Sequence, residues 1–125
     1  MSSAMTWSLD ARTPVRLLDN PADAPPGAVV LAEDGALLPA GASRVERYAT
    51  PVETPHPIGC ACCQPRNPVS IALDRLFLAR MRDGVEFREV VALTATEAGR
   101  AAVAAALEGD SVTVARFRAV AATLP

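Results

Sequence analysis

Residues 67–120 alternate between helical and strand-like patterns with short connections, and no other feature of the sequence limits the fold so strongly. Asn67-Pro68 is typical of a helix start, because Asn caps the first turn and Pro needs no hydrogen bond there. Apolar residues follow at helical spacing until Gly84, which predicts the end of the helix. Phe87 to Leu93 then has the composition of a strand. This part of the chain is therefore predicted to begin as a helix followed by a strand.

A second helix and a final strand continue the alternation. Thr94-Ala95-Thr96-Glu97 predicts a capping box, in which Thr94 caps the helix and Glu97 reaches back to it. The alanine-rich helix then extends to Leu107, and Gly109 closes it. Val112 to Val120 is apolar enough for a last strand, although part of it also fits a helix. Strands separated by helices with short connections predict a parallel sheet with right-handed crossovers.

The first third of the chain supplies short strands between prolines. Val15 to Leu18 is one, and Ala28 to Ala32 is the next. The second is a continuous apolar run, which suits a strand buried on both faces. Arg44 to Tyr48 is expected at an edge of the sheet. Together the patterns predict an α/β fold: a small three-layer-like domain with a mostly parallel sheet of three to five strands and two main helices.

Length and composition indicate one domain, residues 1–125, because the chain has 125 residues and half of them are apolar. We expect residues 1–14 to be flexible and residues 50–67 to form a proline-rich loop that carries the cysteines. No basic block and no apolar run of about 20 residues occur, so neither nucleic acid nor membrane is expected as a partner. Since the first residues also lack a secretory signal, we expect a cytoplasmic protein with reduced thiols.

Three cysteines within four positions, Cys60, Cys62 and Cys63, are the strongest chemical signal in the sequence. Cys60 and Cys63 have the Cys-x-x-Cys spacing that lets two thiolates converge on one ion, and Cys62 adds a third sulfur. His56, the only histidine, lies four residues upstream and is the candidate for a fourth ligand. Sulfur ligands favour soft ions. The motif therefore predicts a cofactor that is Zn(II) or another soft divalent metal.

Other uses of the thiols stay open. A Cys-x-x-Cys pair ahead of a helix also occurs in thiol redox proteins, and Cys60 with Cys63 would form that pair here. Pro65 and Pro68 follow the pair, and a third thiol would complicate clean two-electron exchange, so redox chemistry ranks second. If the thiols are inert, a metal-free interaction module remains as a third interpretation.

The run Gly59-Cys60-Ala61-Cys62-Cys63-Gln64-Pro65-Arg66 resembles the G-C-x-C-C-x-x-R motif of the CobW-like metal-chaperone GTPases. That family uses the motif as a metal site on a P-loop α/β fold. Residues 29–35 and 87–94 resemble, more loosely, two core strands of the same family, and the loose similarity extends over about residues 15–120. The resemblance implies a role in metal handling, with a metal chaperone or a metalloprotein client as partner.

Departures from the family pattern concern the nucleotide. The chain contains no lysine, and Asp19-Asn20-Pro21-Ala22-Asp23 stands where a phosphate-binding G-x-x-x-x-G-K-[ST] should follow the first strand. Leu93 replaces the carboxylate expected at the end of a core strand, Thr96 stands at the expected glycine, and no Asn-Lys-x-Asp occurs. The resemblance therefore implies a degenerate member that binds no nucleotide and is not a GTPase or any other enzyme.

Three further expectations concern individual residues. Glu33 and Asp34 follow a strand, where α/β sheets often place functional groups, but a solvated turn before Gly35 is the favoured interpretation. Arg66 either stabilises the thiolates electrostatically or is merely exposed. Three sulfurs and one histidine leave a tetrahedral ion short of a ligand if His56 does not bind. We therefore expect a homodimer that completes the site.

Overall fold

The computed structural model describes residues 11–51 and 66–120. One sheet contains five strands: β1 (Thr13–Leu18), β2 (Val29–Glu33), β3 (Arg44–Tyr48), β4 (Val90–Leu93) and β5 (Phe117–Val120). The helices are α1 (Pro68–Asp83), α2 (Glu97–Gly109) and α3 (Ser111–Arg116), and a 3₁₀ turn spans Pro21–Asp23. The strand order is β3-β2-β4-β1-β5, and every neighbouring pair is parallel. The predicted small α/β domain with a parallel sheet and two main helices is confirmed.

Side chains of the central strands alternate between two apolar layers, because successive residues of a strand point to opposite faces. Val29 and Leu31 of β2 pack with the buried faces of the helices. Val30 and Ala32 belong to a second cluster on the other face. β2 is therefore buried on both faces, as its continuous apolar run predicts.

The second face differs from the first in what covers it. Its cluster contains residues of β2 and β4, and the partly buried residues against it lie on neighbouring strands or in loops: Leu18, Ala24, Ala36, Ala42 and Val45. All three described helices contact one another, and the first cluster takes its helical members from α1 and α2. Over residues 11–51 and 66–120, the third layer of the predicted three-layer-like arrangement thus consists of loops.

For β1 to β4 the strand boundaries match the sequence patterns to within three residues. β3 has the predicted bounds and the predicted edge position. β1 begins at Thr13, which pairs with Phe117, so Thr13 and Pro14 belong to the sheet and the strand starts two residues before the predicted Val15. β4 begins at Val90 instead of Phe87. The reason is Arg80, whose guanidinium lies 4.2 Å from the Phe87 ring centroid and donates to the Phe87 carbonyl at 3.0 Å.

α1 forms as predicted. The Asn67 side chain accepts a hydrogen bond from the Val69 amide at 2.8 Å, Pro68 occupies the first turn, and Gly84 ends the helix in the left-handed region with φ 68°. The buried residues recur at helical spacing: Val69, Ser70, Ala72, Leu73, Leu76 and Ala79. The Asn67 amide group also donates to the Ala102 carbonyl of α2 at 2.8 Å. The start of α1 is therefore fixed to α2.

The last segment combines both structures that its sequence allows. Asp110 caps α3 by accepting hydrogen bonds from the Val112 and Thr113 amides, each at 3.1 Å. The helix ends at Arg116, and the chain continues directly into β5. The predicted last strand is therefore confirmed for residues 117–120. For residues 112–116, the helical alternative is the correct one. None of the helices in the described residues is long and apolar enough to cross a membrane.

Candidate functional site

The predicted metal ligands, Cys60, Cys62, Cys63 and His56, lie outside the residues that the structure describes. Within residues 11–51 and 66–120, no three His, Cys, Asp or Glu side chains are grouped so that they could hold a metal ion. The structure does define both neighbours of the cysteine segment. Thr50 precedes that segment and Arg66 follows it, and each binds a carboxylate.

A buried carboxylate anchors the chain just before the segment. Glu33 ends β2, and its Oε2 accepts hydrogen bonds from the Thr50 hydroxyl at 2.5 Å and the Thr96 hydroxyl at 2.6 Å. Its Oε1 accepts from the backbone amides of Ala95 at 2.6 Å and Thr96 at 2.9 Å. Four donors from two loops thus converge on one side chain. We call Glu33 with Thr50, Ala95 and Thr96 the Glu33 corner.

The Glu33 side chain is fully buried, with 0% of its surface exposed. Burial raises the pKa of its carboxyl group, but the hydrogen bonds from Thr50, Thr96 and the two amides outweigh burial and hold this pKa below its usual 4.5. The carboxylate also lies against the first turn of α2, whose free amides favour negative charge. Glu33 is therefore ionised at neutral pH, although none of its donors within residues 11–51 and 66–120 is a cation.

Two residues shape the space around this carboxylate. A Cβ atom on Gly99 would overlap the Glu33 carboxyl group, so only glycine leaves room for it. The Tyr48 hydroxyl donates to the Gly99 carbonyl at 3.0 Å. Burial, together with the negative charge of Glu33, raises the pKa of Tyr48. Tyr48 therefore stays a neutral donor and links the end of β3 to α2.

The interpretation of Glu33 as part of a solvated turn is wrong, whereas Asp34 is exposed as expected. Sequence reasoning missed two signals. Glu33 shares the two-residue periodicity of Val29 and Leu31, which places it on the helix side of a strand that is buried on both faces. Gly99, on the buried face of α2, leaves the space that the carboxylate occupies.

The predicted capping box is also wrong. Thr96, and not Thr94, caps α2, and its hydroxyl accepts a hydrogen bond from the Gly99 amide at 2.9 Å. Glu97 is the first helical residue, two residues before the position from which a capping-box side chain reaches back. Glu33 binds the amides of Ala95 and Thr96, which precede the first helical residue.

A second cluster anchors the chain just after the segment. The Arg66 guanidinium binds Asp110 through Nε to Oδ2 and Nη2 to Oδ1, both at 3.0 Å, and binds Asp74 through Nη1 at 2.5 Å. Arg116 of α3 lies 3.7 Å from the other Asp74 oxygen. Two arginines and two aspartates thus join α1, α2 and α3. We call these four residues the Arg66 hub.

Electrostatics in the Arg66 hub follow from these contacts. The hydrogen bonds that Arg66 donates to Asp110 and Asp74 raise its pKa further above its usual range. The Arg66 hydrogen bonds hold the pKa of Asp110 far below normal, against the effect of desolvation. Arg66 is 41% exposed, so solvent and salt weaken these effects. Of the two expected roles for Arg66, exposure is only partly right, because each of its nitrogens already has a carboxylate partner.

A polar crevice of about 370 Å³ opens where the carboxyl ends of β1 and β4 meet α2. Parallel α/β sheets commonly bind ligands at this end of the strands. Its lining residues are Leu18, Asp19, Thr94, Ala95, Thr96, Glu97 and Arg100. Arg100 and Asp19 lie 3.5 Å apart across it. The crevice is thus bordered by both acidic and basic side chains.

The loop beside this crevice uses its own backbone donors. Pro21 has no N–H, and the Ala22 amide donates to the Asn20 side chain at 2.9 Å. The Asp23 amide donates to the Asn20 carbonyl at 3.0 Å, and the Ala24 amide donates to the Pro21 carbonyl at 3.1 Å. A phosphate-binding loop needs such amides free and pointing at the ligand. Here the 3₁₀ turn has already bound them.

Comparison with known proteins adds no assignment. No family model matches the chain, and neither a curated protein nor a solved structure matches it. The resemblance of residues 59–66 to the CobW-like motif therefore stays a prediction.

Proposed function

We propose that this protein binds Zn(II) or another soft divalent metal through Cys60, Cys62 and Cys63, with His56 as a further ligand. It would act in metal handling as a degenerate CobW-like protein, in a cytoplasmic compartment where its thiols stay reduced, and exchange the metal with a chaperone or a metalloprotein client. The observation that carries the proposal is the placement of three thiols within four positions. Neither packing nor a disulfide framework explains that spacing well.

The described structure supports this proposal because residues on both sides of the cysteine segment are held by hydrogen bonds. Thr50 binds the buried Glu33 carboxylate at 2.5 Å, and Arg66 binds Asp74 and Asp110. Fixing both ends of a loop lowers the conformational entropy that its residues lose when they bind an ion. The thiols thus lie in a segment of the chain with a held residue on each side, Thr50 before it and Arg66 after it.

The turn after β1 supports the second part of the proposal, which is that the protein uses no nucleotide. The amides of Ala22, Asp23 and Ala24 bind within the turn, and the Asp19 side chain beside it is 90% exposed. Asp19 is paired with Arg100 at 3.5 Å, and the chain has no lysine to take the place of the P-loop lysine that reaches the phosphates. Metal handling here would therefore proceed without hydrolysis of a nucleotide.

Metal content tests the first part. Protein purified without chelator should contain zinc, and the Co(II) form should show strong sulfur-to-metal charge-transfer absorption. Cys60→Ser and Cys63→Ser should each abolish that band, Cys62→Ser should weaken it less, and His56→Ala least. Metal uptake should release protons and weaken as the pH falls. A metal-free protein that gives no Co(II) band and cycles between dithiol and disulfide would establish the redox alternative instead.

Titration calorimetry with GTP and magnesium tests the second part. We expect no heat of binding, because the amides after β1 are engaged and lysine is absent. Binding at micromolar concentration would contradict the proposal. The same titration with ATP covers the adenine nucleotides.

Assembly follows from the ligand count. Three sulfurs and one histidine can leave a tetrahedral ion one ligand short, and a second chain would complete it. We expect a homodimer that dissociates when a chelator removes the metal, as measured by light scattering. A monomer both with and without chelator would reject the shared site and leave the single-chain site in place.

A further inference from the structure

We propose that the edge strand β3 pairs with β3 of a second copy of this chain, antiparallel and centred on Val45, with one side of α1 packed beside it. The contact does not rest on the metal site. Within residues 11–51 and 66–120, no strand pairs with the outer side of β3. An edge strand presents backbone donors and acceptors that another strand can bind. β5, at the other edge, contains a single charged residue, Arg118, so two copies of β5 offer no pair of unlike charges.

The backbone groups of β3 that point outward are those of Val45 and Arg47. The Tyr48 carbonyl accepts a hydrogen bond from the Asp34 amide at 2.8 Å, so the backbone groups of Tyr48 face β2. Because these groups point to alternate sides along a strand, those of Val45 and Arg47 face away from β2. A two-fold axis through Val45, perpendicular to the sheet, would let the two copies of Val45 each donate to and accept from the other.

The charges along β3 select this register. With Val45 opposite Val45, each Arg44 lies opposite Glu46 of the second copy, in the type of antiparallel pair whose Cα atoms are closest, about 4.5 Å apart. Unlike charges in such pairs stabilise a sheet, and like charges destabilise it. A pair centred on Arg44, Glu46 or Arg47 would oppose like charges. Nε of Arg44 is buried without a hydrogen-bond partner among the described residues, and Glu46 of a second copy offers it an acceptor.

Apolar residues on both faces of the sheet would extend the contact. On the loop side, Val45 packs against the second cluster and is only partly buried, so two copies of it would meet at the axis. On the helix side, Ile71, Arg75 and Leu78 are exposed and recur at helical spacing, so they share one side of α1. Arg75 lies 3.3 Å from Glu46, which places that side of α1 next to β3. The axis would bring Ile71 and Leu78 close to the same residues of the second copy.

The strength of the contact follows from its size. A pair of five-residue strands and a few exposed side chains bury less area than the interfaces of stable dimers do. We therefore expect weak and reversible association, with a dissociation constant of about 0.1 mM. Dilute protein without metal should accordingly be monomeric, and the β3 contact should appear as its concentration rises.

Sedimentation equilibrium of the full-length protein in chelator and reductant tests the contact, because neither a shared metal nor a disulfide can form there. The wild type should dimerise reversibly between about 10 µM and about 1 mM. Arg44→Glu and Glu46→Arg each oppose like charges and should weaken association about tenfold. The variant with both substitutions restores unlike pairs and should regain most of the affinity. Arg47→Glu is the matched control, since this charge reversal on the same strand faces no charge in the proposed register and should change the affinity little.

Two results of this experiment would overturn the inference. One is a wild type that stays monomeric over the whole range in chelator, even if it dimerises with metal. The other is a double variant that associates no better than either single variant, because the charges at Arg44 and Glu46 would then not face each other.

Disulfide trapping tests the register itself in full-length protein that carries Cys60→Ser, Cys62→Ser and Cys63→Ser. Val45→Cys should form an intermolecular disulfide on oxidation, because directly opposite residues have Cα atoms about 5.5 Å apart. Arg47→Cys is the matched control: position 47 is more exposed, but its two copies would be offset along the paired strands by about 13 Å, too far for a disulfide. Equal trapping at both positions, or more at position 47, would reject the register. If this background does not fold cooperatively, the charge variants decide alone.

Discussion

The Glu33 corner and the Arg66 hub do the same task in opposite ways. Each anchors one end of the thiol-bearing segment through a carboxylate that contacts α2 or its cap. Glu33 is fully buried, and its donors among the described residues are neutral: two hydroxyls and two amides. Asp110 is 17% exposed and is paired with an arginine that is 41% exposed.

The difference has an energetic consequence. A buried carboxylate loses its hydration, so removing it leaves its donors unsatisfied in a place that water does not reach. A partly exposed ion pair that is broken is simply rehydrated, which costs little. The Glu33 corner should therefore be the stronger anchor and insensitive to salt, whereas the Arg66 hub should be weaker and screened.

The largest effect is expected from Glu33→Ala. It removes the acceptor of two amides and two hydroxyls and leaves a cavity at 0% exposure, so we expect a loss of about 3–5 kcal/mol in the free energy of unfolding. Urea unfolding measures it. The control is Asp34→Ala, since Asp34 is adjacent in sequence but exposed, and its effect should stay within about 0.5 kcal/mol. Equal small losses in both variants would show that the buried network contributes nothing special.

Gly99→Ala should give the next largest loss. Alanine is favoured over glycine in helices by about 1 kcal/mol, but here its Cβ overlaps the Glu33 carboxyl group. We expect a net loss of about 2 kcal/mol, because the carboxylate must leave its donors to make room. Gly109→Ala in the same helix meets nothing within 4 Å and should be neutral or stabilising. A stabilised Gly99→Ala variant would contradict the close approach of β2 to α2.

Sequence patterns predicted the sheet well because its signals are local. The apolar run at Ala28–Ala32 and the caps at Asn67 and Gly84 each indicate one element, and the structure places β2 and α1 there. Short connections then leave few alternatives to a parallel sheet. The ends of the strands were predicted less well than the strands themselves. At Phe87, for example, the carbonyl accepts a hydrogen bond from Arg80 of α1, and the strand begins only at Val90.

The Glu33 corner was missed because its partners are distant in sequence. Glu33 lies 17 residues from Thr50 and 63 from Thr96, so no local pattern joins them. An acidic residue before Asp34-Gly35 has the composition of a solvated turn, and only the strand periodicity contradicts it. The thiol cluster is the reverse case, since its spacing is a local signal, and its metal site stays a prediction.

Lowering the pH should also destabilise the Glu33 corner. The expected loss in the free energy of unfolding is smaller than that of Glu33→Ala. The folded-state pKa of Glu33 lies below its usual 4.5, so the stability it contributes is present above about 4.5 and is lost as the pH falls through the folded value. Glu33→Gln lacks this ionisation but keeps one carbonyl for the two amides, and we expect a loss of about 1–2 kcal/mol at neutral pH. The difference between wild type and variant should shrink as urea unfolding is repeated at lower pH. A constant difference from neutral to acidic pH would show that Glu33 does not titrate with folding.

The smallest loss in the free energy of unfolding is expected at the Arg66 hub. It also tests most directly the difference between this partly exposed cluster and the buried Glu33 corner. Asp110→Asn keeps the cap of α3 and removes the charge that faces Arg66, so the loss in unfolding free energy should be about 0.5–1 kcal/mol at low salt. In 1 M salt, where the screening length falls to about 3 Å, most of that loss should disappear.

A double-mutant cycle of Asp110→Asn with Arg66→Gln isolates the contribution of this ion pair, and its coupling energy should fall as the salt concentration rises. The loss in Glu33→Gln should stay the same across that salt series, because the donors that the structure describes around the buried carboxylate are all neutral. If salt instead weakened both anchors equally, burial would not be what separates the Glu33 corner from the Arg66 hub.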